Sequence, residues 1–137
     1  MFTPIEAVNQ LTQALNRGDI EAALALYEPN AVLLREDGTS ALGHEAIRKE
    51  FAPLAAMKPT VDMGTYTVVT SDDLATVSHD WSGTGTDEKG KPVSFKGGAM
   101  EVVRRQHDGS WRFVIDDPYA GSRHAAKPAA PRRSKRR

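Results

Sequence analysis

Two acidic residues near the end of the chain stand at a spacing that could set them face to face. Asp108-Gly109 is the strongest short hairpin signal in the sequence, because this dipeptide accepts the positive φ angles that tight turns require. If it forms a two-residue turn, His107 pairs with Ser110, and counting back places Val103 opposite Val114 and Glu101 opposite Asp116. Side chains opposed on antiparallel strands stand ~4.5–5.5 Å apart at Cβ, close enough for two carboxylates to repel and for one to keep its proton. Glu101 and Asp116 are thus the candidate catalytic acid/base pair, with Val103 and Val114 as apolar neighbours on the same hairpin. An exposed strand end or a nearby arginine would cancel that chemistry.

His79 is the second polar candidate. It alternates with Val77 and Trp81, so the three share one strand face, while Ser78, Asp80 and Ser82 share the other. One of these faces lines a cavity, and a neutral histidine beside Trp81 and near the carboxylates could accept a proton. The alternative is a packed or interfacial histidine. No two histidines have helical metal spacing, and no glycine-rich loop leads from a strand into a helix. Neither a metal nor a nucleotide cofactor is expected.

These residues need a scaffold, and its elements are legible. Thr3-Pro4-Ile5-Glu6 is a helix start, and Ile5, Val8, Leu11 and Leu15 form one apolar stripe that Gly18 ends. Asp19 caps a second short helix carrying Ile20, Ala23, Leu24 and Tyr27 and stopping before Pro29. Residues 31–35 read as a strand and 43–57 as a third helix. From Thr60 the period changes to two, giving strands over 61–70, 74–84, 92–107 and 111–119. Met100, Val102, Trp111, Phe113 and Ile115 make an apolar strand face, which is either the covered outer face of a dimer or the inner core. The expectation is an α+β domain over residues 1–120, with three N-terminal helices packed on a strongly curved antiparallel sheet that encloses a pocket.

Three segments carry a family resemblance: ALNRGDIEAALALYEPNAVL, then GHEAIRKEF, then GGAMEVVRRQHDGSWRFV. In that order and spacing the chain resembles the cone-shaped domains related to nuclear transport factor two, including ketosteroid isomerase and the SnoaL-like cyclases. The resemblance implies a small-molecule pocket at the mouth of the cone and pairing of subunits through the convex sheet. It places Glu101 where ketosteroid isomerase keeps a protonated aspartate. The family's tyrosine falls on Leu11 and its proton-shuttling aspartate on Arg35, so the usual isomerase set is incomplete. A guanidinium stays charged and cannot serve as a base. Arg35 would instead neutralise the carboxylates or grip a ligand oxyanion, or lie at the surface beside Glu36 and Asp37. Leu11, Arg35, His79, Trp81, Val103 and Val114 are the expected ligand-binding residues.

Charge distribution bounds the partners. Residues 121–137 hold seven basic and no acidic residues, leaving 11 basic against 18 acidic in the body. An acidic body repels phosphate backbones, so nucleic acid could be met only through the tail, which is expected to be flexible. No run approaches the ~20 apolar residues of a membrane span, no secretory leader is recognisable, and the cytoplasm is the expected compartment. With no cysteine, disulfides and thiolate chemistry are excluded. Two functions remain open: a dimeric, non-catalytic binder of a small molecule, and an acid/base isomerase, cyclase or lyase acting on an apolar carbonyl or carboxylate compound.

Overall fold

The computed structural model describes residues 2–126. Helix α1 (Pro4–Asn16) starts where Glu6 accepts a 2.8 Å hydrogen bond from the Thr3 amide, and it ends before Gly18, whose φ of +70° lets the chain reverse. Asp19 caps α2 (Ile20–Leu24) by accepting from the Ala22 amide. After β1 (Tyr27–Leu34) and the short β2 (Ser40–Leu42) comes α3 (Gly43–Ala56). Four long strands follow: β3 (Thr60–Ser71), β4 (Leu74–Thr86), β5 (Pro92–Arg105) and β6 (Trp111–Asp117). A last short helix, α4 (Ala120–Ala126), closes the described chain.

The six strands form one curled, unclosed sheet in the order β2-β1-β6-β5-β4-β3. Every pairing is antiparallel except that of β1 with β6, so the sheet is mixed where an all-antiparallel one was expected. The core lies between the helices and the concave face. Val8, Leu11, Leu24, Ile47 and Phe51 from the helices meet Tyr27, Val77, Val103, Trp111 and Phe113 from the sheet. Such burial drives the fold, since isolated helices this short are marginal in water.

Three expectations need correction. Tyr27 does not belong to α2: the helix ends at Leu24, and Tyr27 opens β1, fully buried. Pro29 sits inside that strand, in a stretch where the β1–β6 register shifts and ladder hydrogen bonding is already interrupted. The expected apolar face of β5 and β6 is split in two. Trp111 and Phe113 are in the core, whereas Met100 and Ile115 are exposed on the outside. Finally, residues 121–126 are helical rather than a flexible tail, and Arg123 is anchored to the domain. The remainder of the expected tail lies outside the described residues.

Candidate active site

A cavity of about 490 Å³ opens between α1, α3 and the concave sheet. Its walls are mostly aliphatic and aromatic, including Leu11, Leu15, Leu33, Phe51, Leu54, Trp81 and Phe95. Glu101, Asp116 and His79 supply polar atoms to it, and all three are buried. That size and that ratio of apolar wall to polar group are typical of small-molecule sites.

The register that joins the two carboxylates differs from the simple count. Gln106 donates to the Ser110 carbonyl, and Gly109 takes a φ of +89°, so the loop has three residues, His107 to Gly109. Val103 therefore pairs with Phe113 rather than with Val114. Between this pair and Val102–Ile115 the register shifts, with Val114 the extra residue of a bulge. The bulge turns both Phe113 and Asp116 inward and restores Glu101 opposite Asp116. Val103 and Val114, expected to bind ligand, do not line the cavity: Val103 is core, and Val114 is displaced by the bulge.

Four titratable side chains from four strands form a chain of contacts. The Tyr27 hydroxyl donates to Asp116 Oδ2 at 2.5 Å. Asp116 faces Glu101 across the β5–β6 ladder, and Glu101 Oε1 lies 3.0 Å from His79 Nε2. His79 Nδ1 lies 3.1 Å from the Asp80 carbonyl oxygen, which can only accept, so Nδ1 carries a hydrogen. With Nδ1 so occupied, the Nε2–Oε1 contact is a hydrogen bond whenever the carboxyl or Nε2 carries a proton.

Burial pushes the Glu101 carboxyl up to about 7, with the contact to Asp116 pulling modestly the other way. Asp116 is pushed well above the usual carboxylate range, first by burial and then by the Glu101 charge, against a smaller opposing effect of the Tyr27 hydrogen bond. Tyr27 is raised by burial and by Asp116. Glu101 therefore stands near its midpoint at neutral pH, and burial together with the Glu101 charge pushes Asp116 toward its neutral form. Asp116 Oδ1 is buried without a hydrogen-bond partner.

Arg35 lines the cavity, but it does not neutralise the carboxylates. Its Nε is 2.9 Å from Glu50 Oε2, and its Nη1 donates to Thr39 Oγ1 and to the Ser40 carbonyl. Among the described residues Arg35 is the one arginine of the lining, and its guanidinium is paired with Glu50, with Glu36 beside it. Leu11 and Trp81 line the cavity, and of the two strand faces that alternation left open, the one bearing His79 and Trp81 is the one that lines it. No group of three or more His, Cys, Asp or Glu side chains among the described residues is arranged to hold a metal ion.

Tyr27 was missed in the sequence because a helical stripe claimed it. The available signal was the even spacing of Tyr27, Ala31 and Leu33, which suits one face of a strand and which the structure buries together. A second omission is the aromatic wall. Trp81 lies 6.0 Å from Phe95 and 5.6 Å from Tyr119 between ring centroids. Glycines make room for it: a Cβ on Gly83 would come within 2.4 Å of the Phe95 ring, and one on Gly97 within 2.9 Å of the Trp81 ring.

Comparison with known proteins agrees with this architecture. The family described as a SnoaL-like domain matches residues 8–124. A ketosteroid isomerase-like protein from Erwinia carotovora atroseptica superposes with a TM-score of 0.71 at 23% identity, covering 83% of this chain and 90% of that one. A nuclear transport factor 2-like superfamily protein from Salmonella enterica serovar Typhimurium gives 0.74 at 17% identity, over 96% and 93% of the two chains. A third structure, an NTF2-like protein with a cystatin-like fold from Novosphingobium aromaticivorans, gives 0.68 at 22% identity, over 82% and 75%. No curated protein matches the sequence.

Proposed function

Because the chain belongs to the SnoaL-like domain family, whose fold binds small ligands and includes some enzymes, we propose that its cavity performs acid/base chemistry on a small, apolar, uncharged carbonyl compound. The observation that carries this reading is the buried sequence of contacts Tyr27–Asp116–Glu101–His79. Burying four titratable groups costs stability that an apolar set of the same volume would not, so their presence calls for a use beyond folding. Glu101, tuned close to neutral pH and coupled to His79, suits proton removal from the carbon beside a carbonyl and its return elsewhere on the substrate. Asp116, pushed toward its neutral, proton-bearing form by burial and by the Glu101 charge, would favour the negative charge that develops on the carbonyl oxygen. Isomerisation or elimination of water would follow the same proton path. Pairing of Arg35, the one arginine of the lining among the described residues, with Glu50 favours a neutral compound over the carboxylate that the sequence left open.

A direct test is exchange of the α-hydrogens of β-tetralone in heavy water, followed by proton NMR. The expected result is exchange faster than in buffer alone, reduced about 10²–10⁴-fold by Glu101→Gln. Binding of β-tetralone with exchange at the buffer rate would favour the second reading, a carrier or sensor without turnover, and would overturn the first.

We also infer that two copies pair through the outer sheet. Supporting this, Val69, Val102 and Ile115 occupy one row across β3, β5 and β6, with exposed Met100 beside it. The cytoplasm remains the proposed compartment; no helix among the described residues is long and apolar enough to cross a membrane.

A further inference from the structure

The segment that follows β6 crosses the edge of the cavity before joining α4. Pro118 and Tyr119 line the cavity directly. Trp81 Nε1 donates to the Pro118 carbonyl at 2.7 Å, and the Gly98 amide donates to Ser122 Oγ at 3.3 Å. Arg123 holds both carboxylate oxygens of Asp117, at 2.8 and 3.0 Å. Its Nη2 also donates to the main-chain carbonyl of Arg35, a residue of the cavity lining. The segment therefore bridges from β6 to the end of β1, on the side of the cavity where Arg35, Glu36 and Tyr119 lie.

Its seat is built from glycine. A Cβ on Gly97 would lie 3.0 Å from the Pro118 carbonyl oxygen, and one on Gly98 would lie 3.4 Å from the Gly121 Cα. Glycine within a strand weakens it, and here the pair allows the two backbones to approach closely. Among the described residues no member of the core cluster lies beyond Phe113, so the segment is held by these polar contacts and by the edge contact of Tyr119 with Trp81 rather than by the main core. Elements held that way open at lower cost than the body of the domain.

We infer that residues 118–123 are a gate over the cavity, latched by Arg123, whose opening sets the rate at which a ligand enters and leaves. This rests on the reading of the cavity as a ligand site, and two independent measurements separate the two ideas. Hydrogen exchange by mass spectrometry reports opening of the segment without any ligand. Stopped-flow fluorescence with phenylnaphthylamine, an uncharged apolar dye, reports passage into the cavity.

Arg123→Ala, and independently Asp117→Asn, should raise exchange in residues 118–123 while leaving β3 to β5 unchanged. Losing a charge-assisted pair should speed dye association and dissociation together by about tenfold, so that the Kd moves far less than either rate. Unchanged exchange in both variants would overturn the latch. Raised exchange with unchanged dye rates would overturn the gate and leave the cavity reading intact. Failure of the dye to bind the wild-type protein would remove the cavity reading, and the gate with it.

Discussion

Tyr27 and Asp116 are separated by 89 positions in the sequence, yet the tyrosine hydroxyl lies 2.5 Å from Asp116 Oδ2 in a fully buried setting. The contact gives Asp116 a donor on one oxygen and leaves Oδ1 without a partner. Tyr27→Phe should therefore strand a buried oxygen and destabilise the protein by about 1–3 kcal/mol, measured by urea denaturation. Because this hydrogen bond lowers the Asp116 pKa, its loss should raise that pKa further, visible as a protonated-carboxyl infrared band persisting to higher pH.

Stability should depend on pH with a definite sign. Glu101 titrates near 4.5 when unfolded and at about 7 in the fold, so the folded protein binds the extra proton between those values. The Glu101 contribution to stability should accordingly fall as pH rises from about 4.5 to about 7, by up to about 3 kcal/mol. Asp116 contributes with the same sign, since its folded pKa is also raised. Urea midpoints from pH 4.5 to 8 would show this slope, and Glu101→Gln should reduce it between about pH 4.5 and 7. A wild-type profile without any fall would contradict the burial of these groups in ionisable form.

The aromatic wall should be sensitive to single methyl groups. Gly97→Ala would push a Cβ into the Trp81 ring and the Pro118 carbonyl, and Gly83→Ala would push one into the Phe95 ring. Each should cost about 1–3 kcal/mol by overpacking. Gly97→Ala should also shift the tryptophan emission, because it disturbs the indole hydrogen bond to Pro118.

Much of the site could be read in the sequence, and the reasons are specific. Period-two patterning brought His79 and Trp81 to the same face, and the Asp-Gly turn brought Glu101 opposite Asp116. That second result came from two opposite one-residue errors, a turn one residue longer than counted and a bulge at Val114. Turn length and bulges depend on how the strands curl, which local residue preferences do not determine. For the same reason Val103 and Val114 were misplaced while the carboxylates were not. Tyr27 was lost because the apolar spacing of α2 carries on past the helix end up to it, and the ion pair of Arg35 was not foreseen because its partner, Glu50, comes from a different element. The strap beyond Asp117 was hidden by composition: its small and basic residues resemble a solvated tail, and its tie to Asp117 and to the Arg35 carbonyl exists only in three dimensions.

Association through the outer face is tested by Ile115→Lys. This residue is 41% exposed, so the substitution leaves the core intact, and it should convert a dimer to a monomer in sedimentation velocity while the thermal midpoint of the monomer stays within a few degrees. A wild-type protein that sediments as a monomer at high micromolar concentration would end that proposal.

The parallel pairing of β1 with β6 has a consequence for how the molecule comes into being. On a ribosome, β1 and its hairpin partner β2 emerge early, but the strand that joins them to the rest of the sheet is among the last to appear. Contacts of such long sequence separation form late, because the intervening chain must first be made and its loop closed. Tyr27 waits through that interval for Asp116. The region proposed to do the chemistry is then the final part of the domain to be assembled, and a nascent chain released before residue 116 would lack the partner that Tyr27 requires.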